Sequence, residues 1–576
     1  METLLRVGQR ALLAEFGSAA EVLAFHRHLS AKPLTGQLEA IPAARTVLLS
    51  FRTRLQAQEA QRQLRRIRLR PGAPEEGREV ELRVHYDGAD LETAAQHLGR
   101  SVQGLIDWHS STRWMGAFGG FAPGFTYCLP EQLVAKRRLR KSDLAAAVPR
   151  LQTPRTEVPA GAVGLAGEFS AAYPRSSPGG WQLIGTTDAP LWDINRAEPA
   201  LIRPGDTVRY RPVPERITVS SGTQTGLPAV PASDVVLEVL TPGPQTLLQD
   251  LGRPGHGELG VPRSGAADLQ ALRQANQLVG NPEEAVGFET LYGGLELAVQ
   301  QTSILSVTGA ETSLTIITPA APATSNMASG STGQPEQTRE VPLRAPFLIY
   351  AGERLRLSTP SRGLRNYVAV SGGVAAPAVL GSAATDLLSG LGPKPVSAGQ
   401  RFALVGAPSG FVGIADVART ALPEPGVPAT LRFVPGPRDE WFAAKHGNPG
   451  LEALQSLTWE VSADSNRIGL RCTGPGGGQD SAAAPGVAAG SSSGTVTEPP
   501  IMRTQEGELP SEPVVRGAIQ VPPSGQPVVF LADHPVTGGY PVIGVVVSED
   551  LGLAAQLPPG TELRFRAVDP LTLDAL

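Results

Sequence analysis

The pattern of apolar and polar positions changes along the chain. Apolar residues at helical spacing predict helices at residues 19–29 and 54–66. Continuous or alternating apolar runs predict strands at residues 11–15, 46–51 and 79–86. This alternation of strands and helices predicts a small α+β domain at the N-terminus.

Further along the chain, the pattern of apolar residues becomes typical of a mostly β structure. Asp90 and Ser101 are typical N-cap residues and predict two adjacent helices. Beyond Trp114, short apolar runs alternate with Gly/Pro turns, and helical spacing stands out again only at residues 266–278. We therefore divide the chain into an α+β domain (1–88), a β domain (89–213), a Pro/Ser/Thr/Gly-rich linker (214–233) and a second half (234–576) with disordered insertions near residues 319–337 and 474–495.

The composition supports a globular, mostly β protein. The 65 Gly and 53 Pro interrupt helices and favour turns. A net charge of −4 offers no broad positive field, so nucleic-acid binding is not expected. The 2 Cys exclude a disulfide framework and a Cys-rich metal site, and no metal site is predicted. Because we find no signal-peptide core and no run of roughly 18–20 apolar residues, we expect a cytoplasmic protein without membrane segments.

The first half contains a series of Gly/Pro-rich motifs. In order, they are Phe121-Ala122-Pro123-Gly124-Phe125-Thr126-Tyr127, Thr153-Pro154-Arg155, Val158-Pro159-Ala160-Gly161, Ser177-Pro178-Gly179-Gly180-Trp181-Gln182 and Pro204-Gly205-Asp206. Together they resemble the B-type subunit of the bacterial 5-oxoprolinase, also called allophanate hydrolase subunit 1 or the kinase inhibitor family. Where that family usually has Gly-Gly-Gln-Thr, this chain has Gly167-Glu168-Phe169-Ser170.

The second half contains a second series. It comprises Gln249-Asp250-Leu251-Gly252-Arg253, Gly260-Val261-Pro262, Ser264-Gly265-Ala266, Asn276-Gln277-Leu278-Val279-Gly280, Val370-Ser371-Gly372-Gly373, Gln520-Val521-Pro522-Pro523 and Thr537-Gly538-Gly539-Tyr540-Pro541. This half is similar to the C-type subunit of the same enzyme, or allophanate hydrolase subunit 2, of the biotin-dependent carboxyltransferase-like family.

The two resemblances cover nearly the whole chain and imply a fusion of the B-type and C-type subunits. They imply cyclophilin-like β-barrel domains, a site near the contact of the two halves, and a separate A-type subunit as partner. The implied reaction is hydrolysis of 5-oxoproline to glutamate, with ATP as co-substrate and Mg²⁺ as its counter-ion. A homo-oligomer is compatible with the same family.

The residues themselves agree with a need for ATP. Outside the Gly/Ser/Ala-rich insertion near residues 474–495, the sequence has no Gly-x-Ser-x-Gly motif, and it has no His-Glu-x-x-His helix and no Gly-x-x-x-x-Gly-Lys-[Ser/Thr] phosphate loop. An amide-cleaving system without such a nucleophile has to activate the carbonyl by another route. Phosphorylation of the amide oxygen is one such route.

Four residues are candidates for catalysis. His534 follows Asp533 just before a glycine turn, which suits an acid/base role, although a loop histidine fits equally. His109 ends a predicted helix, either as a base or as a partner of the helix dipole. Asp250 is three positions before Arg253, and we expect the two to form a fixed pair.

The predicted binding residues have two interpretations each. Arg253 and Arg467 present forks that suit a substrate carboxylate, but also suit buried ion pairs. Ser264, with Asp268, either caps the following helix or contacts substrate. Glycine turns offer backbone N–H groups to a ligand or simply form tight corners. The full set is Arg253, Gln249, Pro123, Gly124, Tyr127, Gly180, Gln182, Ser264, Arg467, Thr537, Gly538, Gly539 and Tyr540.

Two other functions stay open. One is the carboxyltransferase component of a urea- or amide-carboxylating enzyme of the urea amidolyase type, which also needs a biotin carrier and a carboxylase. The other is a non-catalytic regulator of a histidine kinase. A fused second half of the C type is not expected of such a regulator.

Overall fold

A computed structural model describes most of the chain. It covers residues 1–67, 77–134, 136, 148–151, 153, 155–215, 234–320, 335–444, 447–474, 499–505, 507 and 509–576. The predicted linker and both predicted insertions fall for the most part outside these residues. Among the helices in this part of the chain, none is both long and apolar enough to cross a membrane.

The N-terminal domain is a four-stranded antiparallel sheet with two helices. Its strands are β1 (Thr3–Val7), β2 (Ala11–Glu15), β3 (Gln37–Pro42) and β4 (Thr46–Phe51), in the order β1-β2-β4-β3, and its helices are Ala19–Ala31 and Arg54–Leu64. Both helices begin where a side chain accepts a backbone N–H: Ser18 accepts from Glu21, and Thr53 forms a capping box with Gln56. Both helix predictions are confirmed.

A seven-stranded sheet forms the rest of the first half. The strands of this region are β5 (Glu79–Val84), β6 (Trp114–Gly119), β7 (Thr126–Pro130), β8 (Arg155–Val158), β9 (Ala162–Ala166), β10 (Phe169–Ala172), β11 (Ser177–Gly179), β12 (Gln182–Thr186) and β13 (Thr207–Pro212), with helices Leu91–His97, Val102–Ser111 and Glu131–Val134. The sheet order is β12-β9-β10-β7-β6-β13-β5, and β8 and β11 pair separately. A bridge between His85 and Thr186 links the ends of the two outermost strands.

Two sequence expectations change in this region. Strand β5, which we grouped with residues 1–88, pairs in parallel with β13 and so belongs to the second sheet. Asp90 precedes helix Leu91–His97 but makes no side-chain cap hydrogen bond. Its carboxylate instead accepts from Arg155 at 2.7 Å and from the Leu183 N–H at 2.8 Å. A tertiary contact therefore replaces the predicted local one.

The second half begins with two facing sheets. Its strands are β14 (Leu237–Pro242), β15 (Gln245–Gln249), β16 (Gly287–Leu291), β17 (Leu295–Val299), β18 (Ser303–Glu311), β19 (Leu314–Thr318), β20 (Gln337–Val341), β21 (Pro346–Ile349), β22 (Arg354–Leu357), β23 (Arg362–Val370) and β24 (Arg401–Phe402). The sheet orders are β20-β19-β22-β17-β14-β24 and β15-β16-β23-β18-β21. Their shared apolar core includes Leu237, Phe288, Leu297 and Val368.

One helix covers the second of these sheets. Helix Leu269–Leu278 packs on β18 and β23, and a 3-10 helix, Gly257–Leu259, precedes it. Asp268 caps the longer helix by accepting from the Ala271 N–H at 3.1 Å. The predicted cap is therefore confirmed for Asp268, whereas the Ser264 side chain points to other partners described below.

A closed barrel completes the chain. The strands of this region are β25 (Ala429–Pro435), β26 (Trp459–Val461), β27 (Gly469–Thr473), β28 (Glu512–Pro513), β29 (Ala518–Gln520), β30 (Val528–Phe530), β31 (Thr537–Gly538), β32 (Val542–Val546) and β33 (Glu562–Ala567), with helices Asp439–Phe442 (3-10), Pro449–Ser456 and Leu551–Ala555. Strands β28 and β31 pair with each other outside the barrel. The barrel order is β25-β32-β29-β30-β27-β26-β33, closed by a parallel β25–β33 pair. The predicted mostly β fold with an α+β N-terminal domain is confirmed.

Candidate functional site

The two halves of the chain share an apolar cluster. It consists of Val7, Ala11, Leu13, Ile41 and Leu48 from the N-terminal sheet and Val514, Ala518, Phe530, Val536, Val542 and Val545 from the closed barrel and the segments beside it. Apolar side chains buried from both sides favour association because they leave water together. The N-terminal sheet is therefore packed on the barrel, rather than tethered beside it.

An ion triad reinforces this contact. Arg438 of the second half donates to Glu15 of the first half at 2.5 Å and to Glu512 at 2.9 Å. Burial opposes the charge of Arg438, but Glu512 and Glu15 raise the pKa of its guanidinium above the ordinary value. The arginine stays charged and links the halves across their boundary.

Replacing Arg438 with Met should weaken the contact between the halves by about 2–4 kcal/mol, because Glu15 and Glu512 lose their shared cation. The measurement uses a protease site inserted within residues 216–233 and the dissociation constant of the cleaved halves. Arg432→Met is the control, since Arg432 pairs with Asp550 inside the second half. An unchanged dissociation constant in Arg438→Met contradicts the role of the triad.

The segment 120–124 of the first half lies against the second half. The Phe121 N–H donates to Thr537 Oγ1 at 3.2 Å, and the Gly124 N–H donates to the Leu259 carbonyl at 3.1 Å. A Cβ on Gly120 would lie 2.3 Å from Thr537 Oγ1, so only glycine fits there. The predicted motifs around Pro123 and Thr537 are thus in direct contact.

Tyr127 lies just behind this contact. Tyr127 is 6% exposed, and its ring packs among aromatic rings that include Phe125, Tyr173 and Trp181. Burial raises the pKa of the Tyr127 hydroxyl, while Arg150 and hydrogen bonds with Ser511 and Thr537 oppose the rise. The hydroxyl is therefore neutral and faces the second half.

A buried ion network lies nearby in the second half. Arg467 donates to both carboxylate oxygens of Asp533, at 2.9 and 2.8 Å, and to Glu289 at 2.5 Å. Ser264 Oγ donates to Asp533 Oδ1 at 2.6 Å, from a backbone with φ of 53°. Burial opposes the charge of Arg467, but Asp533 and Glu289 raise its pKa above the ordinary value. The network ties the barrel to the loop before helix Leu269–Leu278.

The predicted pair of Asp250 with Arg253 is wrong. Asp250 accepts from the Gly252 N–H at 2.7 Å, from Ser382 Oγ at 2.6 Å and from the Ala383 N–H at 2.7 Å. Three donors already satisfy this carboxylate, and two of them come from a distant segment. Asp250 therefore fixes the loop at 249–253 to the segment at 382–386, and its contacts do not mark it as a catalytic base.

Arg253 is held by the same segment. Its Nε donates to the Val379 carbonyl at 3.3 Å, its Nη2 donates to the Ala384 carbonyl, and its Nη1 is 4.0 Å from Asp386 Oδ2. Gln249 Nε2 donates to the Thr385 carbonyl at 2.8 Å. The partner carboxylate of Arg253 is thus Asp386.

Four buried polar atoms in this region have no hydrogen-bond partner. They are Gln249 Oε1, Arg253 Nη1, Thr385 Oγ1 and Asp386 Oδ2, on residues that are at most 2% exposed. We call these four residues the buried polar cluster. Burial, and then the charge of Asp533, raise the pKa of Asp386 to about 6. Buried polar atoms are nearly always paired, so an unpaired group of donors and acceptors is a candidate position for ordered water or a small polar ligand.

The first half reaches the edge of this cluster. Arg175 donates from its Nη2 to the Leu388 carbonyl, two residues after Asp386. Arg175 follows Tyr173, which contacts Phe121 and Phe125 in the aromatic group. Among the residues that the structure describes, no group of three His, Cys, Asp or Glu could hold a metal ion.

Each half of the chain matches a family model. The model described as "Carboxyltransferase domain, subdomain A and B" matches residues 259–567, and the model described as "Carboxyltransferase domain, subdomain C and D" matches residues 2–202. The chain belongs to the carboxyltransferase-domain family. Its first half is the C/D half and its second half is the A/B half.

Curated relatives match each half separately. The A/B half is similar to the C-type subunit of 5-oxoprolinase from Escherichia coli (strain K12), with 30% identity over 57% of this chain and 90% of that one. The C/D half is similar to the B-type subunit of 5-oxoprolinase from Escherichia coli O157:H7, with 44% identity over 25% of this chain. That match spans 62% of the B-type sequence, less than two thirds. The predicted fusion of B-like and C-like subunits is confirmed as a family assignment.

More distant relatives and a solved structure extend the comparison. Urea amidolyase of Lachancea kluyveri is 26% identical over 57% of this chain and 17% of its own length. The crystal structure of TTHA0988 is 31% identical, with a TM-score of 0.75 over 96% of this chain and 99% of that one. The arrangement of both halves therefore has a counterpart in one solved chain.

The two predicted histidines differ in position. His109 is fully buried in the C/D half, where its ring nitrogens contact the Tyr86 hydroxyl at 2.8 Å and Ser170 Oγ at 2.9 Å. Burial lowers the pKa of His109 to about 3. A neutral histidine cannot serve as the predicted dipole partner, and its hydrogen-bond partners both lie within the C/D half. Its proposed catalytic role stays a prediction.

His534 lies beside the ion network but faces away from Asp533. Its Nδ1 is 2.8 Å from the Pro535 carbonyl, and its ring stacks on Phe530. Burial lowers the pKa of His534 to about 4. The carboxylate oxygens of Asp533 accept hydrogen bonds from Arg467, Ser264 and the Leu387 N–H. The structure therefore shows no His534–Asp533 hydrogen bond in the part of the chain it describes.

The remaining predicted residues contact neighbours within their own halves. The Gly180 carbonyl accepts from the Leu151 N–H, and Gln182 Nε2 donates to the Pro149 carbonyl at 3.2 Å. Gly538 lies against Gln520, whose amide donates to the Tyr540 carbonyl at 3.0 Å. Around Gly539 a Cβ would find only one atom within 4.0 Å, the Leu509 carbonyl oxygen. These residues position neighbouring segments, and their ligand contacts stay predictions.

Sequence reasoning missed Asp386, Thr385 and Glu289. Asp386 and Thr385 follow a run of small residues, and nothing in their spacing points to Arg253. A signal was available for Glu289: it is the one charged residue in strand β16, and it is 3% exposed. An acidic residue on a buried strand has to meet a cation.

Proposed function

We propose that this chain is the fused B/C component of an ATP-dependent 5-oxoprolinase, acting with a separate A-type subunit to open 5-oxoproline to glutamate. The observation that carries the proposal is the match of one chain to both the B-type and the C-type subunits, at 44% and 30% identity. The buried polar cluster of the second half supports it, because Arg175 of the first half bonds to the Leu388 carbonyl next to that cluster. A small amide needs such donors and acceptors more than it needs a large apolar pocket.

The proposed chemistry starts from a weak electrophile. Attack of the lactam oxygen on the γ-phosphorus of ATP releases ADP and leaves an amide that is phosphorylated on its oxygen, which makes the attached carbon a better electrophile. Water then adds to that carbon, and the C–N bond breaks while the nitrogen takes up a proton, which leaves an acyl phosphate. A second water hydrolyses the acyl phosphate to the carboxylate of glutamate and free phosphate. In this proposal the residues of the chain bind and orient the lactam, while Arg467 neutralises Asp533 and Glu289 so that the site keeps its shape.

A reconstituted assay tests the proposal. We expect glutamate to form from 5-oxoproline only when this chain, a matched A-type subunit, ATP and Mg²⁺ are all present. Omission of each component is the control. The variant Arg401→Met, at an exposed pair with Glu238, should retain the activity. Absence of ATP-dependent glutamate with a matched partner counts against the proposal.

A second candidate is the carboxyltransferase component of a urea- or amide-carboxylating enzyme. The family description and the similarity to urea amidolyase favour it. That function needs a biotin carrier from another chain. Transfer of carboxylate from a carboxylated biotin carrier to urea, without glutamate formation from 5-oxoproline, would select this candidate.

A further inference from the structure

Arg253 and Asp386 leave one donor and one acceptor side by side. Two backbone carbonyls occupy Nε and Nη2 of Arg253, and Asp386 Oδ1 accepts from the Leu388 and Ser389 N–H groups, each at 2.9 Å. Arg253 Nη1 and Asp386 Oδ2 are 4.0 Å apart and neither has a hydrogen-bond partner. Hydrogen bonds to the backbone hold the other polar atoms of both side chains, so Arg253 Nη1 and Asp386 Oδ2 form a donor–acceptor edge.

Such an edge matches one kind of amide. In a ring amide the carbonyl oxygen and the N–H lie on the same side, because ring closure forces the cis arrangement. An open-chain secondary amide is trans, so its two groups point in opposite directions. A urea also has an N–H on the same side as its oxygen. A donor next to an acceptor can therefore bind both groups of a lactam or a urea, but only one group of a trans amide.

We propose that Arg253 and Asp386 bind the cis edge of the substrate amide, with Arg253 Nη1 donating to the carbonyl oxygen and Asp386 Oδ2 accepting from the N–H. This inference rests on the proposed function for the identity of the lactam. It requires a free N–H on the substrate amide. It excludes N-alkylated lactams, which have no hydrogen for Asp386.

The rest of the buried polar cluster lies next to this edge. Thr385 precedes Asp386, and its hydroxyl can donate to a substituent such as a carboxylate. Gln249 Oε1 offers a second acceptor, and its amide nitrogen is anchored on the Thr385 carbonyl at 2.8 Å. The cluster thus holds more unpaired polar atoms than one amide uses, as expected for a substrate with a further polar group.

Ligand entry requires movement of the segment 387–391. Leu387 is 37% exposed, whereas the adjacent Asp386 is 2% exposed. The donor–acceptor edge is therefore buried beneath the surface segment that begins at Leu387. Gly390 and Gly392 have φ of 70° and 80°, a backbone region that glycine adopts without strain. Arg175 of the C/D half holds the Leu388 carbonyl. The opening of this segment is thereby connected to the first half.

Binding of matched analogues to the full chain tests the edge. The probes are 2-pyrrolidinone, N-methyl-2-pyrrolidinone and N-methylacetamide, together with 5-oxoproline and its N-methyl derivative, measured by calorimetry. We expect each N–H lactam to bind about 10- to 100-fold more tightly than its N-methyl partner, because the N–H bonds to a charged acceptor. N-methylacetamide should bind as weakly as the N-methyl lactams.

Variants separate this role from a structural one. Asp386→Ala should lower the affinity for the N–H lactams and reduce the ratio between N–H and N-methyl probes to near 1. The control Asp416→Ala, on the surface, should keep the ratio. A ratio that is unchanged in Asp386→Ala, or equal binding of both probe types by the unmodified chain, overturns the inference. So does the absence of binding by every N–H probe at millimolar concentration.

The binding experiment and the assay for glutamate formation can succeed or fail independently of each other. If the ratio behaves as expected but no glutamate forms with a matched A-type subunit, the proposed function fails and the edge stands. If glutamate forms and N-methyl-5-oxoproline competes as well as 5-oxoproline, the proposed function stands and the edge fails.

Discussion

Replacing Arg467 with Met is expected to destabilise the A/B half by about 3–5 kcal/mol, because it leaves the charges of Asp533 and Glu289 buried without their cation. Arg467, Asp533 and Glu289 are 2%, 0% and 3% exposed. Methionine fills nearly the same volume as the apolar part of the arginine side chain. We therefore expect the lost charge, and not a cavity, to account for most of the lost stability. Ser264 still donates to Asp533, but one hydroxyl cannot neutralise a carboxylate.

Urea denaturation followed by tryptophan fluorescence measures the effect. The control is Arg401→Met, whose ion pair with Glu238 is exposed to solvent and should contribute at most about 1 kcal/mol. The double replacement Glu289→Gln with Asp533→Asn should recover part of the stability lost by Arg467→Met. Equal effects of Arg467→Met and Arg401→Met would show that the network adds nothing beyond a surface pair.

Acid should destabilise the C/D half through His109. Burial lowers the pKa of this histidine from 6.5 to about 3, so the unfolded chain takes up the proton first as the pH falls. The stability that neutral His109 contributes is therefore complete above pH 6.5 and decreases as the pH falls towards 3. Between pH 7 and 5 the loss is about 2 kcal/mol, from about 1.4 kcal/mol per pH unit below the ordinary pKa.

The slope of stability against pH isolates this effect. His109→Gln should flatten the slope between pH 7 and 5, whatever its effect on absolute stability, because glutamine does not titrate. His97→Gln is the matched control, since His97 is exposed at the end of helix Leu91–His97 and meets water in both states. If His109→Gln and the unmodified chain have parallel slopes, His109 is not the group that titrates.

Local patterns in the sequence predicted much of the fold. The capping residues Ser101 and Asp268 were found because the cap and its helix are adjacent in the chain. Strand β5 was recognised as a strand, but its partner could not be inferred. The alternation of apolar and polar residues in β5 indicates that one face of the strand is buried, but it does not indicate in which sheet. The parallel partner, β13, lies far along the chain.

The site was predicted only in part for the same reason. The motif around Arg253 drew attention to the right loop, but spacing in a loop fixes no geometry, and Asp250 and Arg253 turn to different partners. Those partners lie in the segment at 379–386, which no short-range pattern connects to this loop. Arg467 was recognised as a fork, whereas its two carboxylates come from separate strands and loops that only the folded chain brings together.

The packing of the N-terminal sheet on the closed barrel has a consequence for dilution. Both surfaces belong to one polypeptide, so each meets the other at an effective concentration of about millimolar, however little protein is in solution. Two separately made polypeptides come apart once their concentration falls below their dissociation constant. In this chain the pairing of the two halves does not depend on how much protein a cell makes, and one molecule always supplies them in equal number.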